Sequence, residues 1–151
     1  MIIRTGITSF YSKKPLPEFE FSEFKRIAYE CAVSSGYKVT KLIESGVTPN
    51  FHTAVLTLAD DQIHMLGHSN FPVIAFAEPK EEYICELVFR DVPEISDSLQ
   101  RMYPELQIAT STELAATIRK ADLELLDRAE IEQVKYWEPA TIGELAFNWW
   151  D

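Results

Sequence analysis

The chain has 151 residues, 46% of them hydrophobic and 12% aromatic, and a formal net charge of −10. That length fits one domain, which buries roughly 68–70% of its unfolded surface, and the apolar content excludes a disordered chain. No apolar run approaches the roughly 18 residues of a membrane span, and the acidity disfavours nucleic acid and anionic membranes as partners.

The charge is unevenly placed. Residues 1–50 carry seven Lys or Arg against five Asp or Glu, a net of +2, whereas residues 51–151 carry seven against nineteen, a net of −12. A field of that sign draws cationic partners over long range. The first residues, Met1-Ile2-Ile3-Arg4-Thr5-Gly6, lack the apolar core and cleavage site of a secretory signal, so a cytosolic setting is expected.

In chain order, the first loop signal is Ser12–Pro17, where Pro15 and Pro17 disfavour helix. It separates a short apolar start (Ile2, Ile3, Ile7, Phe10, Tyr11) from the first helix, which Ser22 can cap and Gly36 can close. Within it, Phe24, Ile27, Ala28, Cys31 and Ala32 share one face. Tyr37–Ile43 follows as a short strand. Phe51–Leu58, Gln62–His68, Phe71–Ala77 and Tyr83–Arg90 have the length and the β-branched or aromatic content of an antiparallel meander. The last of them alternates, with Tyr83, Cys85, Leu87 and Phe89 on one face. Both cysteines, Cys31 and Cys85, are therefore expected as reduced core thiols.

A helix from Pro93 to about Met102 and a strand around Leu106–Ala109 come next. Thr112 can cap a helix bearing Leu114, Ile118, Ala121 and Leu125 on one side, and Glu130–Trp137 fits a final strand. Thr141 and Glu144 have capping-box spacing ahead of a stripe formed by Ile142, Leu145, Ala146 and Trp149. Phe147 and Trp150 lie off that stripe, so this helix is expected to be buried on two sides. The elements sum to one α+β domain over residues 1–151, an antiparallel sheet of four or more strands with helices on at least one face.

No constellation spells out a reaction. His64 and His68 would share a metal on a helix, but on a strand four residues span roughly 13 Å, too far for two ligands of one ion. His52 is free to approach either across a hairpin, which keeps a metal-dependent hydrolase built on His52, His64 and His68 as an alternative. Asp60 and Asp61 suit a hairpin tip better than acid–base chemistry. There is no Gly-x-Ser-x-Gly turn and no phosphate-cradling glycine loop, and neither a metal nor an organic cofactor is expected. The pairs Lys13–Lys14 and Lys25–Arg26 are read as solvated surface.

Two acidic runs remain. Glu78, Glu81, Glu82, Glu86, Asp91, Glu94 and Asp97 oppose Lys80 and Arg90, a local net of −5; Asp122, Glu124, Asp127, Glu130, Glu132 and Glu138 oppose Arg128 and Lys135, a net of −4. The first run, with Trp150 as an aromatic anchor, is the expected contact surface for a basic protein.

A small acidic chain ending in Trp137-Glu138-Pro139-Ala140-Thr141-Ile142-Gly143-Glu144-Leu145-Ala146-Phe147-Asn148-Trp149-Trp150-Asp151 resembles bacterial immunity proteins, the cytosolic antidotes of polymorphic or contact-dependent growth-inhibition toxins. The resemblance covers about a tenth of the chain and implies a non-enzymatic inhibitor of a basic toxin domain, commonly a nuclease. Those antidotes have many unrelated folds, so it transfers no site residues. An adaptor or subunit unconnected with toxins is the other reading.

Overall fold

Residues 51–77 place β-branched and aromatic side chains between turn residues, and they fold as three consecutive antiparallel strands. In the computed structural model, which describes residues 1–13 and 15–151, these are β2 (Phe51–Leu58), β3 (Asp61–His68) and β4 (Val73–Ala77). β1 (Lys38–Ile43) pairs antiparallel with β2. β5 (Gln107–Ile108) joins β4 in parallel, completing the order β1-β2-β3-β4-β5. The fold is α+β, but its sheet is mixed and not wholly antiparallel. The chain reaches β5 through α2 (Pro93–Met102), and a crossover containing a helix can deliver a parallel neighbour. Lys14 lies outside the described residues.

α1 (Phe21–Ser35) buries Phe24, Ile27, Ala28, Cys31 and Ala32, the face its periodicity marks. Ser22 sits inside the first turn and does not cap it. Gly36 closes the helix at φ 80°, a left-handed conformation that lacks the Cβ penalty only in glycine. The α1 face shares a core cluster with Ala54, Leu56, Ile63, Met65, Ile74 and Phe76 of the strands and with Ile95 and Leu99 of α2. Gly67 faces the same cluster, and a Cβ there would run into the Phe24 ring. The intervening strand residues Phe51, Leu66, Val73, Ala75 and Ala77 belong to a second cluster, with Ile2, Ile7, Leu114, Ile142, Leu145 and Phe147. Side chains alternate across a strand, so the two clusters occupy opposite faces of the sheet.

Elsewhere the chain departs from its local pattern. Tyr83–Arg90 is not a strand. Phe89 bridges Ala77, with Arg90 N–H donating to the Phe76 carbonyl at 3.0 Å and Glu78 N–H to the Val88 carbonyl at 2.8 Å, but no further ladder forms. β4 ends at Ala77 and the chain turns away through Pro79, which has no N–H to donate. Tyr83, Ile84, Cys85, Glu86 and Val88 are consequently exposed, and Cys85 is a free surface thiol, not a core one.

The helix expected after Thr112 is split. α3 (Ser111–Ala115) is capped by Thr110, whose hydroxyl accepts from Glu113 N–H. The chain then extends so that Thr117 bridges Thr141, and α4 (Lys120–Leu123) starts afresh. This cross-chain pairing outweighs local helix continuation and leaves Ala121 and Leu125 exposed. Residues 130–137 lie in a helix, α5 (Arg128–Trp137), and not in a strand. Asp127 accepts from Ala129 N–H while Glu130 accepts from Asp127 N–H, an Asp-x-x-Glu capping box that outweighs the β-branched content of Ile131 and Val134. α6 (Ile142–Ala146) begins at Thr141 as expected, with the Thr141 hydroxyl accepting from Glu144 N–H, but it stops at Ala146. The stripe therefore does not extend to Trp149, which is half-buried, whereas Phe147 and Trp150 are buried. No helix among the described residues is long and apolar enough to cross a membrane.

Candidate functional site

The three histidines point to opposite faces. His52 faces α1 on β2, whereas His64 and His68 lie on the other face of β3. Both ring nitrogens of His52 are committed: Nδ1 accepts from Ser45 N–H at 3.0 Å, and Nε2 lies 2.8 Å from the Phe19 carbonyl. His68 repeats the pattern, Nδ1 accepting from Asn70 N–H at 3.0 Å and Nε2 lying 2.6 Å from the Ile7 carbonyl. With Nδ1 as acceptor, Nε2 carries the proton and donates to the carbonyl; the Asn50 amide, 3.4 Å from His68 Nε2, donates instead to the Ser9 hydroxyl and the Ala146 carbonyl. Burial lowers the pKa of His52, and it pushes that of the wholly buried His68 down to about 4. His64 is half-buried and is also shifted down by burial, with Lys80 and Lys41 adding to the effect. Among the described residues, no three His, Cys, Asp or Glu side chains converge as a metal site requires.

Three of the six acids in the second run are structural, whereas Glu124, Glu132 and Glu138 are exposed. Glu130 is fully buried, and its two oxygens accept from Gly6 N–H (2.7 Å), Thr8 N–H (3.0 Å), the Thr8 hydroxyl (2.6 Å) and Asp127 N–H (2.9 Å). It thereby fastens the N-terminal segment to α5. Asp127 adds a bond from Ser12 N–H. Burial works to raise the Asp127 pKa, but the bonds from Ala129, Ser12 and Arg128 outweigh it and leave it low. Asp122 is buried and accepts from Arg119 N–H at 2.8 Å. Only the Asp127–Glu130 spacing was visible in the sequence as a sign of this arrangement.

The first run is exposed throughout, but its members are dispersed. Glu78 shares Arg90 with Asp61, and Glu82 pairs with Lys41 of β1. Asp91 accepts from Ser111 N–H and its hydroxyl, which hold its pKa down. Glu94 and Asp97 are on α2, whose buried side chains join the other core cluster. Glu81 stands in the exposed strap that follows β4, and Glu86 turns towards a cleft.

That cleft has a volume of about 1170 Å³, and Trp150 also lines it. One wall is the strap Ile84–Phe89; the others are α3, α6 and the aromatic side chains Trp137, Phe147, Trp149 and Trp150. Trp150 is 8% exposed and lies parallel to Trp137, ring centroids 6.3 Å apart. Lys80 places its ammonium 5.0 Å from the Trp149 ring centre, a cation–π contact. Gly143 lets the strap approach α6, since a Cβ there would meet the Phe89 ring. The tail reaches this position because Asn50 and Asn148 bind reciprocally. Asn50 N–H donates to the Asn148 carbonyl, Asn148 N–H to Asn50 Oδ1, and Trp150 N–H to Asn148 Oδ1. No periodic pattern marks that pair in advance, because the two residues are joined only by the fold.

No family model matches the chain, and no curated protein or solved structure shows significant similarity to it.

Proposed function

We propose that this protein is a non-enzymatic cytosolic antidote that binds and neutralises a cognate basic toxin domain, commonly a nuclease. The observation that carries the reading is the strap between β4 and α2: it exposes Glu81, Glu82 and Glu86 beside Tyr83 (82% exposed) and Val88 (59% exposed). Carboxylates interleaved with unsheltered apolar side chains suit a protein interface, where charge accelerates encounter and desolvated anchors supply affinity. The toxin assignment rests on the C-terminal resemblance together with this charge pattern.

The test is capture from the source cell at low and moderate salt, with the bound proteins identified by mass spectrometry. A basic toxin fragment that is released as salt rises supports the reading. If the only specific captures are neutral or acidic proteins, it fails. The triple replacement of Glu81, Glu82 and Glu86 by Lys should slow association with that fragment by at least about tenfold at low salt, an effect that shrinks as screening shortens the reach of the charges. Unchanged association would remove the strap from the contact.

A further inference from the structure

The cleft behind the strap calls for a particular kind of occupant. Its volume, about 1170 Å³, exceeds the roughly 300–1000 Å³ typical of small-molecule pockets, so it suits a chain segment with more than one anchoring side chain. Its lining is dominated by apolar and aromatic side chains, and among the described residues its charged members are Glu86 and Glu144, with no Lys or Arg. Neither acid is in an ion pair among those described; one Glu144 oxygen accepts from Ala140 N–H at 2.6 Å, which leaves the other for a cation. One wall residue, Trp149, already carries a cation on its ring, the ammonium of Lys80, which is not itself a lining residue. Indole faces and carboxylates both favour positive charge, while the apolar floor favours aliphatic or aromatic groups.

We infer that the cleft bounded by Glu86, Trp137, Glu144 and Trp150 receives a cationic amphipathic segment of the partner protein, its apolar side chains inserted between strap and tail and its Arg or Lys residues meeting Glu86 and Glu144. This deepens the basic-partner reading and rests on it. The strap carboxylates would govern encounter and the cleft would govern retention.

Cys85 supplies the reporter, because it lines the cleft as an exposed thiol while Cys31 is buried with its pKa pushed up to about 12. The probe is a short amidated peptide of Arg and Leu with a central Phe. Two controls replace Leu and Phe by Ser, or Arg by Glu. At a concentration about ten times its Kd, the probe should slow maleimide labelling of Cys85 about tenfold and neither control should do so. Ala115→Trp and Thr112→Trp, each adding bulk at an exposed lining position, should abolish that protection while leaving the unfolding midpoint close to the parent value.

Labelling that is not slowed by the probe, or is slowed equally by the Ser control, overturns the inference. If the probe still binds in a salt-sensitive way by anisotropy, the acidic-strap reading survives that failure. If the Glu control protects Cys85 and the Arg probe does not, both fail.

Discussion

The two acidic runs look alike as sequence, with local nets of −5 and −4, yet the fold turns three acids of the second inward and none of the first. In the run from Asp122 to Glu138, the carboxylates of Asp122, Asp127 and Glu130 turn inward to backbone N–H groups. In the run from Glu78 to Asp97, every acid stays at the surface, and Glu81 and Glu86 have no ion pair among the described residues. Donor supply accounts for the difference. Helix starts and the N-terminal segment present unpaired N–H groups that a carboxylate can satisfy, and a buried charge is tolerated only where such donors surround it. The strap is largely exposed, so water can serve its N–H groups and its acids have no buried donors to satisfy. Acidic composition alone therefore does not say which carboxylates face water; the location of buried N–H groups decides it.

The largest expected effect tests the inward side of this contrast. Glu130→Ala strands the N–H groups of Gly6, Thr8 and Asp127 and should destabilise the protein by about 3–5 kcal/mol in urea unfolding. Glu130→Gln should recover little, because its amide NH₂ would face donors. A loss below about 1 kcal/mol in Glu130→Ala would mean that the carboxylate is not what fastens the N-terminal segment.

Acid should act on the buried groups next. His68 has a folded pKa of about 4 against an ordinary 6.5, so between those values the unfolded state binds more protons and stability falls as pH falls. The contribution is fully present above about pH 6.5, and about 3 kcal/mol is lost on reaching pH 4. Asp127, held below its ordinary 3.8, should lose its share only at lower pH. Chemical denaturation between pH 7 and 4, with NMR titration of His68, checks the first window. An imidazole midpoint near 6.5 would contradict the buried neutral tautomer.

The smallest effect on stability tests the outward side. Replacing Glu81 and Glu86 by Lys should change unfolding free energy by no more than about 0.5 kcal/mol, since neither has an ion pair among the described residues. A loss of 2 kcal/mol or more (about the size of a buried defect) would place them in the folding machinery beside Glu130.

Local chemistry alone determined much of this protein. The buried face of α1 followed from the spacing of Phe24, Ile27, Ala28, Cys31 and Ala32, the bounds of β2 and α2 from propensity and turn residues, and the start of α6 from Thr141. Each depends on neighbours within a few residues. Tertiary structure decided the rest: that Tyr83–Arg90 forms an exposed strap, that the segment after α3 breaks to pair with Thr141, that β5 runs parallel, and that Glu86 and Trp150 share one cleft. In each case the outcome depended on contacts between residues far apart in the chain. Periodicity reports which face of a segment is apolar, but it carries no record of whether a strand edge, a hydrogen-bond donor or a second wall is waiting for it elsewhere in the fold.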